Sequence, residues 1–401
     1  MRVGGFVFPS MRFEFNTPTR IICEPGAFRS LGPLVRHLMP PIDERNHRAL
    51  IVTGRIPRHS EALMAAMQGT QVDCVFHAVS GEPDIECIET GTSVARQEQC
   101  RLVVAIGGGS VLDAGKAIAA MMANDGDLLE YLEIIGGGKP LAKHPAPFVA
   151  IPTTAGTGSE VTRNSVIASP ERRVKVSLRS PLMSARIALV DPALALSLPP
   201  EVTASTGLDA LTQLIEPYAC LRANPLTDAL CLEGIERAAR SLTVAVEDGR
   251  NLRAREDMAV ASLFSGLALS NAGLGAVHGL AGPIGGMFPA PHGAICAALL
   301  PHIMEANILA LRERDPNSAS LKRYQHLAQR LTNQAGADAM HGVEFVHRLS
   351  AQLKVSPLAK FGITPAHIPE IVEKAAHASS MKANPIALTP GELGEAVRRA
   401  L

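Results

Sequence analysis

Two groups of residues in this 401-residue sequence have types and spacings that could do chemistry. In TGLDALTQLIEPY, Asp209 and Gln213 stand one helical turn apart and Glu216 follows on the same face. Farther on, HGLAGPIGGMFPAPHG carries His278 and His292 in a stretch almost free of charge. A buried carboxylate and buried imidazoles each lose hydration, so they must be paired, hydrogen-bonded or bound to a metal. Spacing alone leaves core histidines and metal ligands both open. The second group is Gly107, Gly108, Gly109 and Ser110, which follow the apolar run LVVAI and open the helical pattern SVLDAGKAIAAMMA. Backbone N–H groups at such a turn can approach a diphosphate, with the helix N-terminus adding partial positive charge. Leu112 occupies the third-glycine position of the G-x-G-x-x-G fingerprint, and Ala117 follows Gly115-Lys116 where a P-loop needs Ser or Thr. A second small-residue loop, PTTAGTGSE, offers Thr153, Thr154, Thr157 and Ser159 as hydroxyl donors after another apolar run.

These groups need elements to position them. ALIVT (49–53), VDCVFHAV (72–79), LVVAIG (102–107) and FVAIPT (148–153) read as strands too apolar for a wet face, and IALVD ends another at Asp191. Helical patterns separate the first three, which predicts a parallel sheet covered on both faces. NSVIAS and RVKVSLRS, split by Pro170, Glu171 and Arg172, predict a hairpin appended to that sheet. After Pro199 and Pro200 only helical patterns remain. The expected architecture is an α/β Rossmann-like domain over 1–200 and an all-helical domain over 201–401. Both glycine-bearing loops then lie at the carboxyl ends of parallel strands, the crevice where open α/β sheets hold nucleotides.

Composition narrows the partners. Lys plus Arg and Asp plus Glu both number 38, so no net field favours nucleic acid or an anionic membrane, and a small neutral substrate fits better. The seven cysteines lack any C-x-x-C pair and mostly have apolar neighbours, so they read as buried hydrophobes without chemistry. The N-terminal MRVGGFVFPS lacks the apolar run of a signal peptide, Met11 reads as a possible start, and the expected compartment is the cytoplasm. Phe264 to Phe288 carries no Asp, Glu, Lys or Arg, but its seven glycines and Pro283 point to helices packed through small residues rather than to a membrane span.

Taken together, FNTPTRI, AIGGGSVLDAGKA, PTTAGTGSEVT, TGLDALTQLIEPY and HGLAGPIGG…PHG resemble the iron-containing alcohol dehydrogenases, in family order and from Phe13 onward. The resemblance implies a dehydroquinate synthase-like architecture and hydride transfer between NAD or NADP and a small alcohol or aldehyde. It also implies a divalent metal, iron or zinc, and a homodimer or larger homo-oligomer. Carried over, it puts Gly108, Gly109, Ser110 and Asp113 at the cofactor's diphosphate and nicotinamide, Thr153, Thr154 and Thr157 at its phosphates and ribose, and Lys175 and Leu194 beside it. Asp209, His278 and His292 match three of four metal positions.

Three departures matter. The fourth metal position, normally histidine, is Gln213, a harder and weaker donor. The histidine that many relatives place four residues after the first metal histidine is Gly282 here, so the catalytic proton acceptor has no assigned residue; water, the substrate or His302 could serve. After the first strand, Gly54 and Arg55 stand where the family often has Asp, which removes a repulsion toward a 2′-phosphate and favours acceptance of NADP. The rivals are a dehydroquinate synthase-like cyclase, whose phosphorylated substrates call for clustered Lys and Arg, and a non-catalytic nucleotide-binding protein.

Overall fold

The computed structural model describes residues 12–39, 47–56 and 58–401; the N-terminal stretch read above for a leader and a start, 1–11, lies outside the described residues. The strands are β1 (Arg20–Cys23), β2 (Arg48–Gly54), β3 (Asp73–Val79), β4 (Leu102–Gly107), β5 (Phe148–Pro152), β6 (Asn164–Ser169), β7 (Val174–Arg179) and β8 (Ile187–Val190). Six of them form one sheet in the order β1-β8-β5-β4-β2-β3, with every neighbouring pair parallel. The helices of this half are α1 (Leu31–Leu38), α2 (Ser60–Met67), α3 (Ile85–Gln97), α4 (Gly109–Ala123) and the short α5 (Leu128–Tyr131). Every residue of β4 and β5 is buried, as expected for strands covered on both faces.

Three details depart from the sequence reading. β1 was not anticipated: it is four residues long and pairs only with β8. β3 was expected to have no wet face, but it is an edge strand and leaves Phe76 49% exposed. The hairpin β6–β7 forms, but as its own two-stranded ribbon. Its apolar residues Ile167, Val176 and Leu178 pack into the core that covers α4, so its buried face is used against a helix and not as an extension of the sheet.

From Pro200 onward the described elements are all helical: α6 (Pro200–Ala219), α7 (Pro225–Glu247), α8 (Leu252–Asn271), α9 (Ala276–Met287), α10 (His292–Arg314), α11 (Ala319–Thr332), α12 (Ala339–Gln352), α13 (Ile368–Ala376) and α14 (Pro390–Arg399), with short 3-10 turns between some of them. They enclose one apolar core. α8 and α9 break at a 97° bend inside the charge-free stretch. α10 is long and apolar enough to cross a membrane, but 72% of its most apolar window is buried inside the protein, which makes it a core helix.

The two halves meet at the PTTAGTGSE loop. Gly158 adopts φ +60°, and a Cβ there would stand 2.5 Å from Gly266 Cα on α8, so backbone touches backbone at this joint. Lys116 of α4, wholly buried, ties the same loop to the hairpin by donating to Asn164 O (2.6 Å), Thr162 Oγ1 (2.7 Å) and Ser159 Oγ (3.0 Å). Burial pushes this ammonium's pKa down, and Asp113 opposes that shift. Glu160, also fully buried here, has its pKa raised to about 7, chiefly by desolvation. Below pH ~4.5 the carboxyl is protonated folded or unfolded and carries no penalty; from there to about 7 only the unfolded chain ionises, so stability falls as pH rises. Glu160→Gln should therefore gain stability over the parent at pH 8, by up to about 3 kcal/mol, and gain nothing near pH 4.5. Urea denaturation at both pH values checks this.

Candidate active site

A cleft of about 770 Å³ opens at the carboxyl ends of β2, β4 and β5. Gly54, Gly108, Thr153 and Leu194 line it, together with Arg58 and His59. At its floor α4 begins with Gly108 as N-cap and no side chain bonded across the cap, which leaves the first-turn N–H groups free of a side-chain partner. Gly109 is required by close approach: a Cβ there would stand 2.7 Å from Thr157 Cγ2. A Cβ on Gly108 would meet Thr154 at 3.4 Å, so the two small-residue loops lie against each other. Ser110 occupies the same first turn of α4.

Two of the residues carried over from the resemblance have their side chains engaged elsewhere. Asp113 accepts from Ser159 Oγ at 2.5 Å and from the Val166 N–H at 2.9 Å, so it fixes the turn from behind. Lys175, on β7, pairs with Glu82 at 2.9 Å while packing close to Gly285 on α9. The cation that lines the cleft is Arg58, which donates to Ser197 O at 3.4 Å; Arg55 is exposed beside it. Burial lowers the pKa of His59 in the same wall.

In the helical half, α6, α9 and α10 bring Asp209, His278 and His292 together. Asp209 Oδ1 lies 3.5 Å from His278 Nε2 and 3.7 Å from His292 Nε2. The face read from the sequence also delivers Glu216, whose Oε2 lies 2.6 Å from His278 Nδ1 and whose Oε1 accepts the Val277 N–H at 2.7 Å. Paired this way, His278 Nδ1 is the donor to Glu216 and Nε2 faces Asp209, where it would offer its lone pair to a bound ion. Gln213 lies next to Asp209, with its amide nitrogen on Asp209 Oδ2 (3.1 Å) and its oxygen accepting from Ser265 Oγ (3.0 Å). The sequence reading gave Cys296 no role, yet it stands one turn after His292 with Sγ 3.6 Å from His292 Nε2. The available signal was the four-residue spacing from a histidine, hidden by the apolar setting GAICAAL.

Asp209 Oδ1 is buried and has no hydrogen-bond partner. Desolvation would raise the Asp209 pKa, but His292 and His278 hold it below the usual carboxylate range. Burial likewise works against the imidazoliums, yet Cys296 and Asp209 lift His292 to about 9, and His278 also rises well above its ordinary value. The cluster thus draws positive charge, and its O, N and S donors all approach within 4.8 Å of one another. The chemistry of this donor set and the unpartnered oxygen fit a divalent ion. His302 is not near: ten residues farther along α10, roughly 15 Å by helical rise, it stacks edge-on with His347, ring centroids 5.1 Å apart. Burial, with the charges of His347 and Arg399, pushes it down to about 4. At Gly282 a Cβ would meet nothing within 4 Å, so the missing side chain leaves open space.

Two family models match, "Iron-containing alcohol dehydrogenase" over residues 18–192 and "Fe-containing alcohol dehydrogenase family, C-terminal" over 203–401. The chain belongs to the iron-containing alcohol dehydrogenase family. A 1,3-propanediol dehydrogenase from Klebsiella pneumoniae is 37% identical over 81% of this chain and 82% of its own length. A choline dehydrogenase from Bacillus subtilis is 37% identical over 75% of this chain and 74% of its own. Among solved structures, a 1,3-propanediol oxidoreductase superposes with TM-score 0.88 at 31% identity, covering 98% of this chain and all of that one (100%). A sulfoacetaldehyde reductase from Bifidobacterium kashiwanohense, in complex with NAD+, superposes with TM-score 0.84 at 26% identity over 96% of this chain and 98% of its own. As an iron-containing alcohol dehydrogenase the chain is an oxidoreductase that moves a hydride between a nicotinamide cofactor and an alcohol or aldehyde. The family also implies a metal.

If Glu216 orients His278 toward an ion, Glu216→Gln should lower divalent-metal affinity roughly 10- to 100-fold while the fold persists. Metal titration of the purified variant, with circular dichroism as the control for folding, measures this.

Proposed function

We propose that Asp209, His278 and His292 hold one divalent ion, iron or zinc. We propose too that NAD or NADP lies along Gly54, Gly108, Gly109, Ser110, Thr153, Thr154, Thr157 and Leu194, with the diphosphate at the start of α4. The observation that carries the reading is the buried, unpartnered Asp209 Oδ1 facing two imidazole nitrogens. Bound there, an ion would supply Lewis acidity to an alcohol or carbonyl oxygen.

The chain's own residues do the rest. Glu216 holds His278 in one tautomer, and Gln213 holds Asp209 through its second oxygen. Asp113 and Lys116 brace the turn on which the diphosphate rests. Lys175, drawn against α9 and paired with Glu82, closes the hairpin over the helical half. The His292 side chain is 33% exposed whereas those of His278 and Asp209 are 6% and 2% exposed, so substrate enters on the His292 side. Gly282 offers no side chain for a relay; the proton of the reacting alcohol passes to solvent along that same open flank. The substrate is a small alcohol or aldehyde, and the space at Gly282 is available to it.

Asp209→Ala removes the one carboxylate of the three proposed ligands, so bound metal and turnover should both vanish, as elemental analysis and steady-state assays on an alcohol panel would record. Full activity in that variant excludes this reading. The missing acidic residue at Gly54 and the guanidinium of Arg58 support use of NADP at least as well as NAD. Arg58→Ala should raise KM for NADP at least several-fold and leave KM for NAD nearly unchanged, and equal effects on both would refute that part.

A further inference from the structure

We propose that Cys296 is a fourth protein donor of this metal centre, filling the coordination that glutamine at position 213 leaves open. The inference rests on the metal reading above and adds a ligand to it.

Cys296 is completely buried on α10, one turn beyond His292 and on the same helix face. Its Sγ lies 3.6 Å from His292 Nε2 and 3.8 Å from His278 Nε2. With metal–donor distances of roughly 2.0 to 2.3 Å, neighbouring donors around a tetrahedral ion stand roughly 3.3 to 3.6 Å apart. The sulfur contacts and the Asp209 contacts of 3.5 and 3.7 Å fall within a few tenths of an ångström of that spacing.

A hydrogen-bonded thiol does not explain the cluster. His278 donates from Nδ1 to Glu216, and its Nε2, the Asp209 oxygen and the sulfur converge on one small space. One S–H proton can satisfy only one of these contacts at a time, and by geometry Asp209 Oδ1 has no hydrogen-bond partner. A cation at the centre satisfies all of them together, and coordination displaces the thiol proton.

Gln213 stays outside the inner sphere. Its nitrogen is spent on Asp209 and its oxygen on the Ser265 hydroxyl, and flipping the amide would set oxygen against a carboxylate oxygen. The family's fourth imidazole is thus exchanged for a sulfur donor arriving from a different helix. A thiolate softens the donor set, which shifts the preference from iron(II) toward zinc or cobalt. The exposed side of His292 leaves room for substrate to approach the site.

Cobalt(II) reconstitution of the full chain, without cofactor or alcohol, tests the proposal. The wild-type protein and Gln213→Ala should show an intense near-ultraviolet thiolate-to-cobalt charge-transfer band. Cys296→Ser should lose that band, keep the weak visible cobalt bands of the remaining ligands, and bind cobalt roughly tenfold or more weakly. Wild-type protein that binds one cobalt without the sulfur band, or a band that survives in Cys296→Ser, overturns the fourth ligand and leaves the functional reading standing. Failure of the wild-type protein to bind any cobalt overturns both.

Discussion

A carboxylate and two imidazoles held in a nearly dry space are tolerable only when positive charge sits among them. Three helices must meet at the right depth to bring His278 within 3.5 Å and His292 within 3.7 Å of Asp209, and much of the helical half can be understood from that demand. The 97° break between α8 and α9 turns the chain so that His278 starts near the beginning of α9 and points back at α6. His292 opens α10, a long helix whose middle is enclosed by the core. Small residues allow this crowding: a Cβ on Gly279 would reach Met381, and one on Gly275 would reach Glu216. The glycine-rich composition of this stretch is what lets a polar cluster be packed from so many sides.

The α/β half answers a different requirement, a phosphate-sized opening at the end of a buried sheet. Its rigidity comes from an unusual place. Lys116, which the sequence reading set aside as a P-loop lysine because Ala117 follows it, is used internally, to bind α4, the small-residue loop and the hairpin into one block. Asp113 belongs to the same block. Both are buried or nearly buried charges paired within a dense set of hydrogen bonds, the condition under which such groups are tolerated.

Much of this was legible in the sequence because period and burial leave a direct trace. The wholly apolar runs became the central strands, the change of texture after Pro200 became the change from sheet to helices, and the face shared by Asp209, Gln213 and Glu216 survived intact. What was hidden depended on tertiary context. β1 is too short to show a period and exists through pairing with β8. The cleft's arginine is Arg58 and not Arg55, because only the bend after β2 decides which side chain faces inward. Cys296 reads as one more apolar residue until α9 and α6 bring two other donors to it. A ligand that arrives from a helix other than the family's own cannot be found by matching positions.

The contact between Gly158 and Gly266 has a mechanical meaning as well as a steric one. Two main chains pressed together without intervening side chains have nothing to interdigitate, so the joint cannot ratchet from one packed register to another. A Cβ on Gly286 of α9 would likewise stand 2.8 Å from Val174 Cα of the hairpin, so the halves are fastened at two backbone contacts rather than one.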